Sequence, residues 1–291
     1  MTEKSSLISL SDGRRLAYGE YGDPNGKPVI YNHGLLASRF EAAFADDVAQ
    51  KLGLRLISID RPGYGRSDPK PDRTLLDWPQ DVAALADVLR IPRFHLLGIS
   101  GGGPYALACA RELAGRVDGL TLICALGPPA SLDELESGPG TRLFEFAGRH
   151  PHIARLALAP LGVWLRRSPV SFVERMMAAA SPEDRAVLRD PLVRAGFARA
   201  LREGARQGVA GALTDIGLYG RDWGFRLDDI MLPVSLWQGE ADHTVPPVMA
   251  HYLAEHLPEC EMHFVPKEGH FSLPVKHMPE ILNDAASLNV G

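Results

Sequence analysis

Cysteine is scarce in this sequence, and long hydrophobic runs are missing from it. The 291 residues include three cysteines, an odd number without the spacing of a metal site. This argues against a fold that depends on disulfide bonds and favours a reducing compartment, so the cytoplasm is the expected location. The longest apolar stretch, residues 153–165, contains arginine, proline and glycine and is too short to cross a bilayer. We therefore expect no transmembrane segment, and the first ten residues lack the apolar run of a signal peptide.

Positive charge is not in excess either. Lysine and arginine together number 31 against 36 acidic residues, which gives a net charge of -5. This balance gives no reason to expect a nucleic-acid partner. A content of 45% hydrophobic and 23% charged residues is typical of an ordinary globular protein. The sequence does not indicate an oligomeric state.

Strand-like and helix-like segments alternate over most of the chain. Short apolar runs with β-branched residues predict strands, and longer segments with helical spacing predict helices. The predicted strands cover residues 7–10, 15–21, 28–32, 54–59, 94–99, 120–124, 233–238 and 261–265. Helices are predicted at residues 38–52, 75–89, 245–257, after the turn at 98–103 and after residue 273. This order predicts an α/β fold with a mostly parallel sheet flanked by helices.

The alternation stops between residues 128 and 225, a mostly helical region rich in alanine, leucine and arginine. We interpret residues 128–225 as a helical cap inserted over the strand ends, and residues 1–127 and 226–291 as the core. Its arginines would form either a basic lid that attracts carboxylate-bearing substrates or a solvated helix face. The helical spacing of Arg199, Arg202 and Arg206 favours the solvated face.

Apolar residues of this cap would either line an acyl pocket or form its own core. They include the stretch 153–165 together with Phe172, Met176 and Met177. For any one of them, a place in the core is the favoured interpretation.

A glycine-rich turn carries one serine at the end of a predicted strand. The sequence GISGG at residues 98–102 stands between that strand and a predicted helix, which is the arrangement of a nucleophile elbow. Such a turn holds its serine in a left-handed backbone conformation and presents the hydroxyl at the positive end of the helix. The competing interpretation is a glycine turn with a structural serine. The position of the turn favours Ser100 as a nucleophile.

A general base for Ser100 is predicted from the position of the histidines along the fold. His270 follows the last predicted strand, so it lies at the same end of the sheet as Ser100. Other histidines lie within a strand or on helices and are expected to be structural: His95, His251, His256 and His277. Asp242 follows the preceding strand and is predicted to accept a hydrogen bond from His270 and orient its ring. Glu240 is the nearest rival to Asp242 and is expected to face solvent.

The same chemistry needs donors for an oxyanion. The backbone amide of Gly101, next to the serine, is one candidate, and the amide of Leu35, in the turn that starts at His33, is the other. Gly34 and Leu36 in that turn are expected to contact substrate.

Together with the loop DRPGYGRSD at residues 60–68, these motifs resemble those of the serine hydrolases of the α/β-hydrolase superfamily, over residues 7–127 and 228–288. The resemblance implies an eight-stranded sheet with its second strand antiparallel, and neither a metal nor an organic cofactor. Serine at residue 100 departs from the relatives that use aspartate there to open epoxides or cleave carbon–halogen bonds.

The favoured reaction is hydrolysis of a small, largely apolar carboxylic ester through an acyl-enzyme. Cleavage of a lactone, an amide or an activated C–C bond by the same residues stays open. So does a catalytically silent receptor of the same fold that binds a small ligand. Activity is expected to rise as His270 loses its proton, at roughly pH 6 to 7.

Overall fold

The computed structural model describes residues 5–132 and 157–288, which fold around an eight-stranded sheet. The strands are β1 (Ser6–Ser9), β2 (Arg15–Gly22), β3 (Lys27–Asn32), β4 (Leu54–Ile59), β5 (Phe94–Ile99), β6 (Val117–Ile123), β7 (Val234–Gly239) and β8 (Cys260–Val265). Their spatial order is β1-β2-β4-β3-β5-β6-β7-β8. Strand β2 is antiparallel to both of its neighbours, and all the other pairs are parallel. The predicted fold, with its antiparallel second strand, is confirmed.

Helices cover both faces of the sheet and its carboxyl end. Those in the described ranges are α1 (Asp46–Lys51), α2 (Trp78–Val88), α3 (Gly103–Glu112), α4 (Ala159–Arg167), α5 (Pro169–Met177), α6 (Pro182–Leu188), α7 (Pro191–Gly204), α8 (Ala210–Tyr219), α9 (Pro247–His256) and α10 (Ser272–Ser287). All six residues of β5 are buried, as expected for a central parallel strand covered on both faces. No helix in the described part of the chain is both long enough and apolar enough to span a membrane.

The helix predicted for residues 38–52 is wrong in its first half. A 3₁₀ turn (Glu41–Ala45) leads into α1, and residues 38–40 are not helical. The backbone N–H of Arg39 donates to Oδ1 of Asp60 at 2.8 Å. Arg39 is also completely buried and paired with Asp60, so a tertiary contact fixes the backbone here, and the first regular helix begins at Asp46.

The described part of the 128–225 segment contributes α4 to α8, which pack against one another around their own apolar cluster. This cluster includes Leu165, Val173, Leu188 and Leu201, and it also contacts the turn after β3. Arg202 and Arg206 are exposed, whereas the guanidinium of Arg199 lies 4.2 Å from the ring centroid of Phe40. Residues 133–156, which include the start of the apolar stretch 153–165, lie outside the described residues.

Candidate active site

Ser100 stands at the end of β5 in a strained backbone conformation. Its φ is +52°, in the left-handed region that residues other than glycine rarely adopt. The flanking glycines permit this turn. A Cβ on Gly98 would lie 2.8 Å from Cβ of Ala106, and one on Gly102 would lie 2.0 Å from the carbonyl oxygen of Asn32. The strand, the turn and α3 therefore approach one another as closely as the motif predicts.

Three distant side chains meet at this turn. Nε2 of His270 lies 3.1 Å from Oγ of Ser100, and Nδ1 of His270 lies 2.8 Å from Oδ2 of Asp242. The other carboxylate oxygen of Asp242 accepts the amides of Thr244 and Val245, each at 2.8 Å. Because Asp242 accepts from Nδ1–H, Nε2 is left free to accept the proton of the serine hydroxyl. Glu240, the rival acid, is exposed and accepts the amide of Lys267 instead.

The ionisation of this group follows from its burial and its charges. Burial disfavours the charged imidazolium of His270, but the Asp242 carboxylate outweighs burial, aided by Asp184 and Glu41, so the pKa of His270 lies above its ordinary value of 6.5. Burial likewise opposes the carboxylate of Asp242, yet His270 and two backbone amides hold the pKa of Asp242 below 3.8. The pair is therefore arranged to stabilise a protonated His270 beside a charged Asp242.

Sequence reasoning missed Asp184, which fixes the backbone of the loop that carries His270. Asp184 lies on α6, and its Oδ2 accepts the amide of His270 at 3.1 Å. Its Oδ1 accepts the amides of Phe271 and Ser272, each at 2.8 Å. No local pattern marks Asp184, because its partners lie more than eighty residues further along the chain.

Leu35 and Gly101, whose amides are the predicted oxyanion donors, lie next to each other. A Cβ built on Gly101 would lie 3.2 Å from the nitrogen of Leu35, so the two residues are adjacent. The carbonyl of Ser100 accepts the amide of Leu126 at 3.2 Å, and since a trans peptide points its C=O and N–H in opposite directions, the N–H of Gly101 is aimed the other way. Among the described residues no hydrogen bond uses the amide of Leu35.

Hydrogen bonds also fix the direction of the carbonyl of Gly34. Nδ1 of His33 lies 2.8 Å from this carbonyl oxygen, and Nη2 of Arg61 donates to it at 3.2 Å. The amide of Arg61 donates to Nε2 of His33, so the proton of this imidazole is assigned to Nδ1. Burial, with the nearby Arg61 charge, lowers the pKa of His33 well below 6.5 and keeps the ring neutral. Because these bonds fix the carbonyl of Gly34, the N–H of Leu35, which belongs to the same trans peptide, points in the opposite direction.

A buried polar network supports both turns and was also missed. At its centre is Asp215 on α8, the one charged residue of that helix, and this lone charge is the signal that the sequence offers. Its partners are Arg61 at 2.9 Å, Tyr64 at 2.8 Å, Tyr105 at 2.6 Å and Arg73. Tyr219, on the same helix, donates to the carbonyl of Gly101 at 2.7 Å.

A cavity of about 230 Å³ opens above Ser100. Gly34, Leu35 and Leu36 form part of its wall, as do Ser100 and His270. The helices of the 128–225 segment close it with apolar side chains: Val173, Met176, Leu188, Phe197, Ala200 and Leu201. Phe172 and Met177 belong to the apolar cluster behind this wall. The cavity is therefore apolar except near the serine.

One group of possible metal ligands coincides with this site. Atoms of Cys124, Asp242 and His270 lie within 4.8 Å of one another. The imidazole and the carboxylate of this group are already hydrogen-bonded to each other at 2.8 Å, and burial raises the pKa of the Cys124 thiol well above its ordinary value. The group is better described as a hydrogen-bonded pair with a neutral thiol beside it.

Comparison with known proteins identifies the family and the fold. Residues 31–285 match the model of the alpha/beta hydrolase family, a range that contains Ser100, Asp242 and His270. A crystal structure of a hydrolase from Pseudomonas aeruginosa superposes with a TM-score of 0.74 at 19% sequence identity, over 99% of this chain and 100% of that one. At this identity the likeness is one of fold.

Two curated relatives are similar to part of the chain. A non-heme chloroperoxidase from Streptomyces lividans is 34% identical over 129 residues, which are 42% of this chain and 45% of that protein. A proline iminopeptidase from Neisseria gonorrhoeae is 30% identical over 141 residues, which are 45% of this chain and 44% of that protein. The chain thus spans less than half of the length of either relative.

Proposed function

Because the chain belongs to the α/β-hydrolase family, we propose that it is a serine hydrolase that cleaves small, largely apolar carboxylic esters. The observation that carries the proposal is the continuous hydrogen-bonded chain from Ser100 through His270 to Asp242, at 3.1 and 2.8 Å. A hydroxyl becomes a nucleophile when a base within hydrogen-bond reach takes its proton and a third group orients that base.

In the proposed mechanism Oγ of Ser100 attacks the ester carbonyl while Nε2 of His270 takes its proton. The negative charge that develops on the carbonyl oxygen is stabilised by the amides of Leu35 and Gly101, each worth about 3 kcal/mol. His270 then gives the proton to the departing alcohol, which leaves an acyl group on Ser100. Water then attacks the acyl group while His270 takes one of its protons. His270 gives this proton to Oγ of Ser100 as the bond to the acyl group breaks, which releases the acid and restores the serine hydroxyl.

The wall of the cavity supports the choice of an apolar substrate. Side chains such as Val173, Met176 and Leu201 come from the 128–225 segment, and burying apolar substrate against them is favourable at about 25 cal/mol per Å². We assign residues 128–225 as a cap that supplies the substrate pocket, and residues 1–127 and 226–291 as the catalytic core. Gly34 and Leu36 contact the substrate from the core side.

The bond that is cleaved needs a direct test. The partial relatives bear the names of a peroxidase and a peptidase, and a lactone, an amide or an activated C–C bond would use the same three side chains. A hydrolysis screen over p-nitrophenyl esters of rising chain length, with lactones and aminoacyl amides alongside, separates these reactions. We expect the largest kcat/KM for short to medium esters.

Two measurements test the mechanism itself. A fluorophosphonate probe should label Ser100 covalently, whereas a silent receptor of this fold would stay unlabelled. Ser100→Ala should lower kcat by roughly 10⁴ to 10⁶. Ser287→Ala, at an exposed serine on α10, is the matched control and should keep full activity. Retention of most ester hydrolysis by Ser100→Ala would disprove the proposal.

A further inference from the structure

The mechanism above leaves unused a carboxyl group that forms part of the cavity wall. Glu41, in the 3₁₀ turn before α1, is only 8% exposed and faces the same cavity as Ser100 and His270. Among the described residues that line this cavity, no other is an aspartate or a glutamate. A buried carboxyl in an apolar pocket is costly unless its oxygens are hydrogen-bonded, so its partners indicate its role.

One oxygen of Glu41 is fully engaged by the protein. Its Oε2 accepts the amide of Gly34 at 2.8 Å and the hydroxyl of Tyr31 at 3.3 Å. These contacts tie the carboxyl to the turn that carries the Leu35 amide. They account for the position of the side chain, but they occupy only one of its two acceptor atoms.

The other oxygen, Oε1, has no hydrogen-bond partner among the described residues. It lies 3.2 Å from the point that a Cβ on Gly34 would occupy, and the Cβ of Ser100 lies 3.6 Å from the same point. Oε1 and the nucleophile therefore flank one small region of the cavity. An acceptor in such a place is satisfied by water in the free enzyme, and a ligand that displaces this water must bring a donor of its own.

From this geometry we infer that Oε1 of Glu41 is a substrate-recognition group, which accepts a hydrogen bond from a hydroxyl or amine carried by the acyl part of the substrate close to its scissile carbonyl. This inference rests on the proposed function and narrows it. The preferred substrates are hydroxy- or amino-substituted esters whose remaining surface is apolar. An ester that carries a free carboxylate at the same place is disfavoured, because this group would bring a negative charge and an acceptor against Oε1 of Glu41.

The pKa of Glu41 sets the pH range of this role, because Oε1 acts purely as an acceptor only when the carboxyl is ionised. Burial raises the pKa of Glu41 to about 7, against the opposing effects of the Gly34 amide, Arg61, Tyr31 and His270. A donor brought by the substrate would replace part of the hydration that burial removes, and a cationic amine would do so most strongly. The same oxygen could not serve as the general base for Ser100, because His270 already holds that hydroxyl at 3.1 Å.

The first test uses the wild-type protein and matched methyl esters in a pH-stat held above the pKa of Glu41, which is about 7, so that the carboxyl is ionised. The two sets are propanoate, lactate and pyruvate, and butanoate, β-hydroxybutanoate and acetoacetate, so that each set compares a plain, a hydroxyl-bearing and a carbonyl-bearing chain. Each kcat/KM is divided by the alkaline hydrolysis rate of the same ester to remove intrinsic reactivity. We expect the hydroxyl-bearing member of at least one set to exceed the plain member roughly tenfold or more. Equal values in both sets would overturn the inference.

The second test is Glu41→Gln, which keeps the shape of the side chain. The amide of Gly34 requires an acceptor, so the Gln carbonyl takes the place of Oε2 and its NH₂ group replaces Oε1 in the cavity. The preference should then reverse, with the hydroxyl-bearing ester losing roughly tenfold relative to the carbonyl-bearing ester. A purely structural role would lower all the esters by the same factor, and that result would overturn the inference.

Two controls distinguish a failure of this inference from a failure of the proposed function. Glu255→Gln removes an exposed carboxylate on α9 and should leave every ratio unchanged. Fluorophosphonate labelling of Ser100 in Glu41→Gln reports whether the catalytic serine is still active. If labelling persists while the ratios stay those of the wild type, the inference fails and the serine hydrolase stands. If Glu41→Gln does not fold, the wild-type ratios decide alone.

Discussion

The guanidinium of Arg61 lies 2.9 Å from the carboxylate of Asp215, and both side chains are completely buried. The pair joins two parts of the chain that are far apart in sequence, the loop after β4 and helix α8 of the cap segment. Arg61 also donates to the carbonyls of His33 and Gly34, the turn that aims the Leu35 amide. The 128–225 segment is thus connected through a completely buried charged pair to the turn after β3, which carries the proposed oxyanion donor Leu35.

Asp215→Asn should destabilise the protein and slow its reaction. The substitution leaves the buried charges of Arg61 and Arg73 without their counterion, which costs about 3 to 5 kcal/mol. Thermal unfolding should therefore shift to lower temperature, and kcat should fall because the oxyanion turn loses its support. Asp228→Asn, at an exposed residue, is the control. An unchanged kcat in a folded Asp215→Asn protein would show that the network does not position the turn.

Asp184→Asn should lower kcat and shift the pH profile. Asparagine keeps one acceptor for the amides of Phe271 and Ser272 but turns an NH₂ group towards the amide of His270. We expect kcat to fall roughly tenfold to a hundredfold. The negative charge of Asp184 also helps to raise the pKa of His270, so the acidic midpoint of kcat/KM should move to lower pH. Glu183→Gln, one residue away on α6, should change neither quantity.

Gly204→Ala should push α7 away from the turn after β3. A Cβ on Gly204, the last residue of α7, would lie 2.2 Å from the carbonyl oxygens of both Leu36 and Ala37. Backbone atoms cannot move aside as a flexible side chain can, so the helix and the turn must shift. KM should rise and kcat should fall together. Gly115→Ala, where a Cβ would meet nothing within 4 Å, provides the comparison, and equal effects of the two substitutions would contradict this account.

The pH dependence of kcat/KM should report the ionisation of His270. Only the neutral imidazole can accept the Ser100 proton, and the pKa of His270 lies above 6.5, so activity should be lost as the pH falls through a midpoint above 6.5. The midpoint therefore lies in the upper half of the range expected from the sequence, roughly pH 6 to 7, or above that range. In Asp242→Asn the charge that raises this pKa is removed while burial still lowers it, so the midpoint should move to lower pH and kcat should fall by about 10⁴. Glu240→Gln should leave the midpoint in place.

Much of the fold and the members of the candidate site could be predicted from local patterns. The central strand β5, the glycine turn and α3 are encoded by contiguous residues, because an apolar run, a turn that only glycine permits and a helix start each leave a local signature. The placement of His270 and Asp242 followed from a general rule, since parallel strands bring their carboxyl ends to one edge of a sheet. The non-helical backbone at residues 38–40 could not be found in this way, because it is fixed by the buried pairing of Arg39 with Asp60, a residue further along the chain.

By itself the sequence determined the order of the candidate catalytic residues along the chain, Ser100 followed by Asp242 and His270. It also determined the end of the sheet where they would lie. Only the tertiary structure decided what supports them: Asp184 under the His270 loop, Asp215 beneath both turns, and Glu41 with one oxygen facing the cavity. The physical reason is that these carboxylates act through partners far away along the chain. Burial and pairing, which give each of them its role, exist only once the chain has folded.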